Sequence, residues 1–333
     1  MSSQRSEIVV VGGGFGGALL SWILAAEGKS VTLIDAPRPI GHPIVGESST
    51  PLADLILLQL ANQYSLPSLA ALARYGSWAS TFGTDGESGG PICGKKRGFS
   101  YFAHTPNQYF RDPTPHSRSL YVTASADDAS SDTHWHRESV DAFLRASAVR
   151  AGARLIAGTL EDLQPADRWR LSIQASGEPI QLRADEIVDA TALAVVARLM
   201  RRADVVQAPR CKTNQLQTAT HSVFTHLRGV GEFANSRSFC VESTDGDPFH
   251  GDDAAQHHLL HDGWMWVLRF DNGIASVGRV FQGKKSAARP LPCDNIAKQF
   301  GVSQYPSLRD MLSGSTPAYP TTPLVRTKRL QKW

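Results

Sequence analysis

The chain has 333 residues, of which 41% are hydrophobic and 20% charged, and its formal net charge is +3. These values are those of a soluble globular protein with one large or two medium domains, and the charge is too small to indicate nucleic acid binding. Four scattered cysteines form no C-x-x-C pair, which excludes a disulfide framework and indicates a reducing compartment. Because the sequence shows neither a secretory signal nor an apolar run long enough for a membrane span, we expect a cytoplasmic protein.

A strand, a glycine turn, a helix and a second strand are predicted for the N-terminal segment. Residues 8–11 are a β-branched run, typical of a strand buried on both faces. Residues 15–27 are good helix formers, and Gly28 is placed to end that helix. Residues 31–34 form a second apolar run, with Asp35 at its carboxyl end. This order is that of a dinucleotide-binding unit.

Three glycines at G-x-G-x-x-G spacing give this unit its chemistry. Gly12 permits the tight turn, Gly14 lets the backbone approach a pyrophosphate, and Gly17 lets helix and strand pack closely. The helical N–H groups from Phe15 onward then face the phosphates. Asp35 is placed to accept a hydrogen bond from a ribose hydroxyl, which disfavours NADP and leaves FAD and NAD open.

Periodicity predicts further elements along the chain. Helices are predicted over 51–62, 65–75, 134–152, 294–300 and 307–312, and surface loops over 76–100, 105–118 and 124–133. Strands are predicted over 98–103, 153–157, 169–173, 180–182, 186–191, 218–227, 238–241, 263–270 and 274–281. Asp271-Asn272-Gly273 predicts a hairpin between the last two strands.

Further motifs follow the glycine unit in a fixed order. They are Gly46-Glu47-Ser48, Lys96-x-Gly98, Trp135-His136-Arg137-x-x-x-Asp141-x-x-Leu144, Val188-Asp189-Ala190-Thr191 and Gly263-Trp264-Met265-Trp266. Together they resemble the flavin-dependent halogenases, the tryptophan-halogenase-like family of FAD-dependent monooxygenases, over nearly the whole chain. The resemblance favours FAD over NAD.

The resemblance implies an α/β protein with a Rossmann-type FAD-binding domain and an inserted, mostly antiparallel β-sheet substrate domain. We expect the FAD domain to cover residues 1–195, with a loop insertion at about 76–133. The substrate domain then covers 196–293, and residues 294–333 return towards the FAD domain. A later family segment with a second glycine- and aspartate-bearing cofactor motif is not found in this sequence, so the fold is expected to be C-terminally truncated.

In this family, a separate flavin reductase supplies reduced FAD, and oxygen and a halide ion then give hypohalous acid. A lysine directs the halogen onto an electron-rich aromatic or pyrrolic substrate, free or carrier-bound. Lys96 best matches that lysine, and Lys95 is the neighbouring candidate. Without the resemblance, we would expect either lysine to be an exposed charged residue of a loop.

The other candidate site residues follow from the same motifs. The resemblance places Glu47 beside the flavin and the halide channel, and Arg137 near the FAD; the alternatives are a loop carboxylate and a helix-start cation. Trp264 and Trp266 share one face of a strand, where the family uses them on the substrate side and core packing is the alternative. The remaining candidates for cofactor binding are Gly46, Ser48, Asp189 and Thr191.

Three departures from the family leave three functions open. Arg269 lies in a segment where the family usually has Ile-Pro, Ala192 replaces the glycine of D-A-T-G, and the later cofactor segment is not found. The chain is predicted to be a halogenase-like enzyme or a non-halogenating FAD monooxygenase or reductase, and the missing segment adds an inactive flavin-binding fragment as a third hypothesis. The pattern His257-His258-x-x-His261 lacks the H-E-x-x-H carboxylate, so we expect a solvated loop or strand face there and no metal site.

Overall fold

The computed structural model describes residues 4–191, 194–202, 219–234, 240–241, 246–282, 295–319 and 324–330. Its helices are α1 (Phe15–Ala26), α2 (Pro51–Gln63), α3 (Pro67–Ala70), α4 (Tyr75–Phe82), α5 (Arg137–Arg150), α6 (Val195–Arg202), α7 (Ile296–Gln299) and α8 (Pro306–Met311), with a 3₁₀ turn at Ala71–Ala73. Among the described residues, no helix is long and apolar enough to cross a membrane.

The strands belong to two compact units of the chain. They are β1 (Gln4–Val11), β2 (Val31–Asp35), β3 (Cys93–Lys96), β4 (Gly98–Ala103), β5 (Arg111–Asp112), β6 (Ser119–Thr123), β7 (Asp132–Trp135), β8 (Arg154–Gln164), β9 (Trp169–Ala175), β10 (Ile180–Asp189), β11 (Ala219–Arg228), β12 (Cys240–Val241), β13 (Ala255–Leu260), β14 (Gly263–Arg269), β15 (Ile274–Gln282), β16 (Thr316–Pro317) and β17 (Val325–Leu330). The first unit comprises residues 1–40 and 138–212, and the second comprises residues 41–137 and 213–333. The predicted division differs, since it kept residues 41–137 with the FAD domain.

The first unit is built on the predicted strand–helix–strand motif. Strand β1 pairs in parallel with β2 on one side and with β10 on the other. Strands β8, β9 and β10 are antiparallel neighbours, and β8 pairs in parallel with β2, so the five strands close into a barrel. Val9 and Val10 have no exposed surface, which fits the β-branched run. Gly28 follows the end of α1 with a φ of +76° and allows the chain to turn back.

A large sheet with both parallel and antiparallel pairs organises the second unit. Its order is β16-β11-β15-β14-β13-β4-β6, and β17 also pairs with β11. The predicted hairpin between β14 and β15 is confirmed: Phe270 N donates to Ile274 O at 2.8 Å, and Gly273 has a φ of +77°. Strand β13 is parallel to β4, and it includes His257 and His258, where the sequence leaves a loop or a strand open.

The two faces of this sheet have different compositions. One face packs Met265, Val267 and Val277 against residues of α7 and α8 in a buried hydrophobic cluster. On the other face, one cross-strand row joins Phe224, Gly278, Trp266, His257 and Tyr101. Since side chains alternate along strands, Phe99 and Trp264 lie on this second face as well. We call Phe99, Tyr101, Phe224, His257, Trp264 and Trp266 the aromatic face.

The predicted surface loop over 76–100 is wrong. Its first part is helix α4, where Trp78 is completely buried and its indole N–H donates to Pro91 O at 2.9 Å. Its last part is strand β3, which pairs with β7 at residues 132–135, where an acidic loop and the start of a helix were predicted. The predicted helix over 65–75 is instead α3, a 3₁₀ turn and the start of α4. The glycine-rich composition wrongly indicated loops here, because tertiary packing and not local propensity orders these segments.

Candidate functional site

The glycine turn of the first unit has a shape that only glycine permits at two positions. Gly12 has a φ of +107°, and a Cβ there would lie 2.8 Å from Ala190 O. A Cβ at Gly17 would overlap the carbonyl oxygen of Gly12. Helix α1 begins after Gly14, whose missing side chain leaves the helix without a side-chain cap. The turn therefore presents bare backbone and a helix N-terminus, a cradle that fits a pyrophosphate.

Asp35 lies beside this turn and is held by three donors. Its carboxylate accepts hydrogen bonds from Gly13 N at 2.9 Å and from Arg38 at 2.9 Å. Arg145 lies 3.4 Å from its second oxygen and also donates to Gly13 O at 2.9 Å. Arg145, on α5, therefore links Asp35 to the glycine turn. This role could not be predicted from the sequence, because no local pattern relates an arginine on a helix to a distant turn.

Asp189 and Thr191 lie next to the glycine turn and cap helix α6. Asp189 accepts hydrogen bonds from Val196 N at 3.0 Å and from the Thr191 hydroxyl at 2.6 Å. The Thr191 hydroxyl accepts one from Val195 N at 2.9 Å. Because carboxylates and hydroxyls satisfy the first N–H groups of a helix, both side chains have a local structural role. Their predicted part in cofactor binding stays a prediction, and Ala192 lies outside the described residues.

The Gly46-Glu47-Ser48 segment belongs to the second unit and lies beside β7, antiparallel to it. Ser48 forms a β-bridge with His134, and Trp135 N donates to Glu47 O at 2.9 Å. Arg137 donates to the carbonyl oxygens of residues 45 and 46 at 3.0 and 3.3 Å. Gly46 has a φ of +94°, a conformation that favours glycine. Arg137 thus fixes the backbone of this segment, and its predicted contact with FAD stays a prediction.

Glu47 is buried and paired with a histidine. Its Oε1 lies 2.7 Å from Nε2 of His226 on strand β11. This pair could not be predicted from the sequence, because 179 positions separate the two residues and His226 belongs to no recognised motif. The alternative interpretation of Glu47 as an ordinary loop carboxylate does not fit its burial.

Lys96 is completely buried, so its interpretation as an exposed loop charge is wrong. It ends strand β3, opposite Asp132 on β7. Its Nζ donates to Asp132 at 2.9 Å and to Ser49 O at 2.7 Å, and it lies 4.3 Å from the centre of the Phe99 ring. Two hydrogen bonds and a ring contact therefore surround the ammonium group, which is how a buried charge is tolerated.

Asp54, on helix α2, is a second buried carboxyl group near Lys96, and it shares a hydrogen bond with Asp132. Its pKa is raised to about 8, mainly by burial and then by the hydrogen bond and negative charge of Asp132, against smaller opposing effects from Ser49 and Lys96. Two carboxylates that share one site cannot both ionise easily. At neutral pH Asp54 therefore mainly keeps its proton.

The raised pKa of Asp54 predicts a pH-dependent stability. The folded state holds this proton up to about pH 8, whereas the unfolded chain releases it near the ordinary value of 3.8. The contribution is fully present below pH 3.8 and is lost as the pH rises to about 8, by roughly 1.4 kcal/mol per pH unit. Asp54→Asn should remove this slope in urea unfolding at pH 5, 6 and 7. The control Asp85→Asn changes an acid that lies just after the end of α4, and this variant should keep the pH dependence. Equal slopes in D54N and wild type would contradict the assignment.

Lys95 points away from Lys96 because neighbouring residues of a strand face opposite sides. Burial lowers its pKa, but hydrogen bonds to Asp128 and Asp253, at 2.8 and 3.0 Å, outweigh that effect, so the pKa is raised. Lys95 is therefore held as an ammonium in a partly exposed ion-pair network. Its predicted catalytic role stays a prediction.

Trp264 and Trp266 lie on the aromatic face, and both are partly exposed. The Trp266 ring lies over Gly278, where any Cβ would overlap the indole, and its Nε1 donates to Ser276 at 3.3 Å. The ring centres of Phe224 and Trp266 are 6.0 Å apart on the same face. Because the hydrophobic cluster lies behind the opposite face, neither tryptophan is a residue of that core.

The structure explains Arg269, the first departure from the family pattern. Its guanidinium lies 2.7 Å from Asp252 and donates to the carbonyl oxygens of Val230 and Gly231 at 3.0 and 2.6 Å. Asp252 in turn accepts hydrogen bonds from Phe233 N and from residue 234. Arg269 thus ties the end of β14 to two loops, which is a structural role.

The three histidines of the H-H-x-x-H pattern have separate surroundings. His257 stacks on Tyr101, with ring centres 5.0 Å apart, and His261 lies 3.0 Å from the Tyr305 hydroxyl. His258 is completely buried and lies 3.0 Å from His104, so the predicted solvated face is wrong for it. Within the part of the chain that the structure describes, no group of three or more possible metal ligands is found.

Comparisons with known proteins agree with this architecture. No protein-family model matches the sequence. The chain is 26% identical to tetracycline 7-halogenase of Kitasatospora aureofaciens, over 98% of its own length and 55% of that protein. It is 24% identical to monodechloroaminopyrrolnitrin halogenase PrnC of Pseudomonas fluorescens, over 99% of its length and 54% of that protein. The chain thus spans about half the length of these relatives.

Solved structures share the fold at lower sequence identity. The halogenase PltM in complex with phloroglucinol and FAD matches with a TM-score of 0.74 and 22% identity, over 97% of this chain and 59% of that one. The myxobacterial chondrochloren halogenase CndH, described as a variant of FAD-dependent halogenases, matches with a TM-score of 0.61 and 17% identity, over 98% of this chain and 64% of that one. These matches establish the fold.

Proposed function

The chain is a relative of the flavin-dependent halogenases in sequence and fold, and from this premise we propose that it is an FAD-dependent, halogenase-like oxidoreductase. The observation that carries the proposal is the position of Lys96, whose ammonium group lies against Phe99 of the aromatic face. Trp264 and Trp266 lie on that same face. A buried cation beside a surface of partly exposed rings suits reactions of flat, electron-rich substrates.

The FAD-binding role is proposed for the glycine turn of the first unit. Bare backbone at Gly12 and Gly14 and the start of α1 suit the pyrophosphate of FAD. Asp35 retains acceptor capacity for a ribose hydroxyl, since a carboxylate can accept about four hydrogen bonds and the structure gives it three donors. Bound FAD would supply the redox chemistry that activates oxygen and halide. A flavin reductase and a halide ion are the partners that this chemistry requires.

Titration with FAD tests the cofactor half of the proposal. Quenching of flavin fluorescence should report saturable binding to the full chain. Asp35→Asn should weaken binding about tenfold or more, because a hydrogen bond to a charged group contributes roughly 1.5–3 kcal/mol. The control Asp185→Asn changes an acid of the same unit that pairs with Arg5 and Arg168 and should bind like wild type. A wild-type chain that does not bind FAD, or a D35N variant that binds it normally, would contradict the role.

The close pairing of Lys96 supports a second candidate, a non-halogenating FAD monooxygenase or reductase. Its Nζ is already engaged by Asp132, Ser49 and Phe99, so the lysine has a structural function whether or not it acts on a halogenating species. An assay with a flavin reductase, oxygen and an electron-rich aromatic substrate separates the two candidates. Halogenated product that requires halide and disappears in Lys96→Arg supports the first; oxygenated product that forms equally without halide supports the second.

A further inference from the structure

Strand β6 is the last strand on one side of the large sheet. It pairs with β4 in antiparallel direction, and no other described strand pairs with it. Directly after β6, Ala124 N donates to Arg97 O at 2.9 Å. Backbone groups alternate in direction along an antiparallel strand, so Val122 and Leu120 also direct theirs towards β4. The backbone N–H and C=O groups on the outer side of β6 then belong to Ser119, Tyr121 and Thr123.

The strand lacks the features that usually protect an outer edge. Edge strands of natural proteins commonly carry a charge, a proline or a β-bulge, each of which hinders pairing with another chain. Residues 119–123 read Ser-Leu-Tyr-Val-Thr, without charge or proline, and their pairing with β4 is regular. Tyrosine, valine and threonine are also residues that favour strands. The outer side of β6 is therefore suited to pair with a further strand.

Apolar side chains extend to the same edge. Leu120 lies opposite Tyr101, so it continues the cross-strand row of the aromatic face, and it is 56% exposed. Val122 lies opposite Phe99 on that face and is 44% exposed. Tyr121 points to the opposite face and packs against the buried hydrophobic cluster there. The core thus holds β6 in place through Tyr121, while its two apolar neighbours stay uncovered.

A second copy of this chain fits the open edge, because β6 is complementary to itself. When two β6 strands run antiparallel with Tyr121 at the centre, the outward backbone groups of the two copies lie within reach of each other as donors and acceptors. Leu120 of each copy then lies opposite Val122 of the other, which gives two equivalent apolar pairs. Since residues 119–123 carry no charge, no like charges meet within the paired strands.

The residues that flank the strand favour the antiparallel orientation. Arg118 directly precedes β6, and the exposed Asp127 follows it after three residues. Antiparallel pairing brings the start of one strand next to the end of the other, so that a positive and a negative flank meet on both sides. Parallel pairing would instead bring flanks of the same sign together.

We propose that two copies of this chain associate through β6, antiparallel and centred on Tyr121, and join their large sheets into one continuous sheet. The same surface is used on both copies, so a two-fold axis relates them and the association stops at a dimer. Main-chain hydrogen bonds provide affinity, and the apolar pairs fix the register. The contact needs neither flavin nor substrate, so it is independent of the proposed function.

Sedimentation velocity without flavin tests both the dimer and its register. Over about 1–100 μM, wild type should pass from monomer to dimer as the concentration rises. Leu120→Lys/Val122→Lys places lysine opposite lysine in both pairs and should raise the dimer Kd about tenfold or more. Leu120→Lys/Val122→Glu places lysine opposite glutamate and should keep the Kd within about threefold of wild type. The control Leu52→Lys changes an exposed leucine of helix α2 and should dimerise like wild type.

The two charge variants distinguish this contact from any other association. A wild-type dimer that is weakened in L120K/V122K and kept in L120K/V122E supports the proposal. A wild type that stays monomeric over the whole range, open-ended association, or equal Kd values in the two charge variants overturns it. Circular dichroism checks that each variant is folded.

A backbone variant decides the question if L120K/V122K does not fold. Thr123→Pro removes an N–H group that points away from β4, so the pairing within the sheet keeps all its hydrogen bonds. Each copy loses one intermolecular donor, and the dimer Kd should rise about fivefold or more. An unchanged Kd in T123P overturns the proposal.

Discussion

Replacing Lys96 by methionine is expected to lower the free energy of unfolding by about 3–5 kcal/mol, because removal of one partner leaves a buried charge uncompensated. Lys96 has no exposed surface, and its partner Asp132 is only 3% exposed. Methionine fills much of the volume but gives Asp132 and the Ser49 carbonyl no donor. Urea-induced unfolding followed by circular dichroism measures the loss.

Lys95→Met is the matched control, since it makes the same change one residue away. Its partners Asp128 and Asp253 are exposed by 52% and 37%, and partly exposed ion pairs contribute about 1 kcal/mol or less. The double variant K96M/D132N should recover part of the lost stability, because it also removes the negative charge of Asp132, which has no cation as a partner once Lys96 is replaced. Equal losses in K96M and K95M would show that Lys96 does not depend on a buried ion pair.

The second large effect is expected for Gly17→Ala. A Cβ at this position would overlap the carbonyl oxygen of Gly12 and lie 2.9 Å from the Ala190 side chain. Since the first contact is with backbone, the glycine turn must move, at a cost of about 1–3 kcal/mol. The movement should also weaken FAD binding at least tenfold, because the turn and the start of α1 form the proposed pyrophosphate site. Denaturant unfolding and FAD titration measure the two effects.

Gly16→Ala provides a control in the same turn of helix. A Cβ at Gly16 meets no atom within 4 Å, so alanine should stabilise the helix by about 0.5–1 kcal/mol through its higher propensity. The two variants should therefore change stability in opposite directions. If G17A unfolds at the same denaturant concentration as G16A, close packing of the turn is not what requires glycine at position 17.

The parts of the fold that local interactions determine could be predicted from the sequence. The order of β1, α1 and β2, the glycine turn and the acid at the end of β2 all follow from residues close together in the chain. The Asp271-Asn272-Gly273 hairpin is predicted for the same reason, because turn chemistry depends on two or three residues. The start of α2 is also set locally, since the Thr50 side chain accepts a hydrogen bond from Ala53 N.

Predictions failed where a segment is ordered by distant partners. Strand β3 has a glycine- and lysine-containing sequence with no strand pattern, and it forms because β7 pairs with it. At β13 the sequence does not distinguish a loop from a strand, because the histidines there are polar, and pairing with β14 and β4 decides for a strand. Cross-strand pairing of this kind outweighs the weak intrinsic preference of a single strand.

By itself, the sequence determined a strand–turn–helix–strand unit with Gly12, Gly14 and Gly17 in its turn and Asp35 at its end, and a strand on which Trp264 and Trp266 share a face. These conclusions need only the helical and strand periods and the conformational freedom of glycine. Only the tertiary structure decided that Lys96 is a buried ion-pair partner and that Glu47 meets His226. Such contacts depend on which strands become neighbours, and the energetic cost of burying a charge is set by those neighbours.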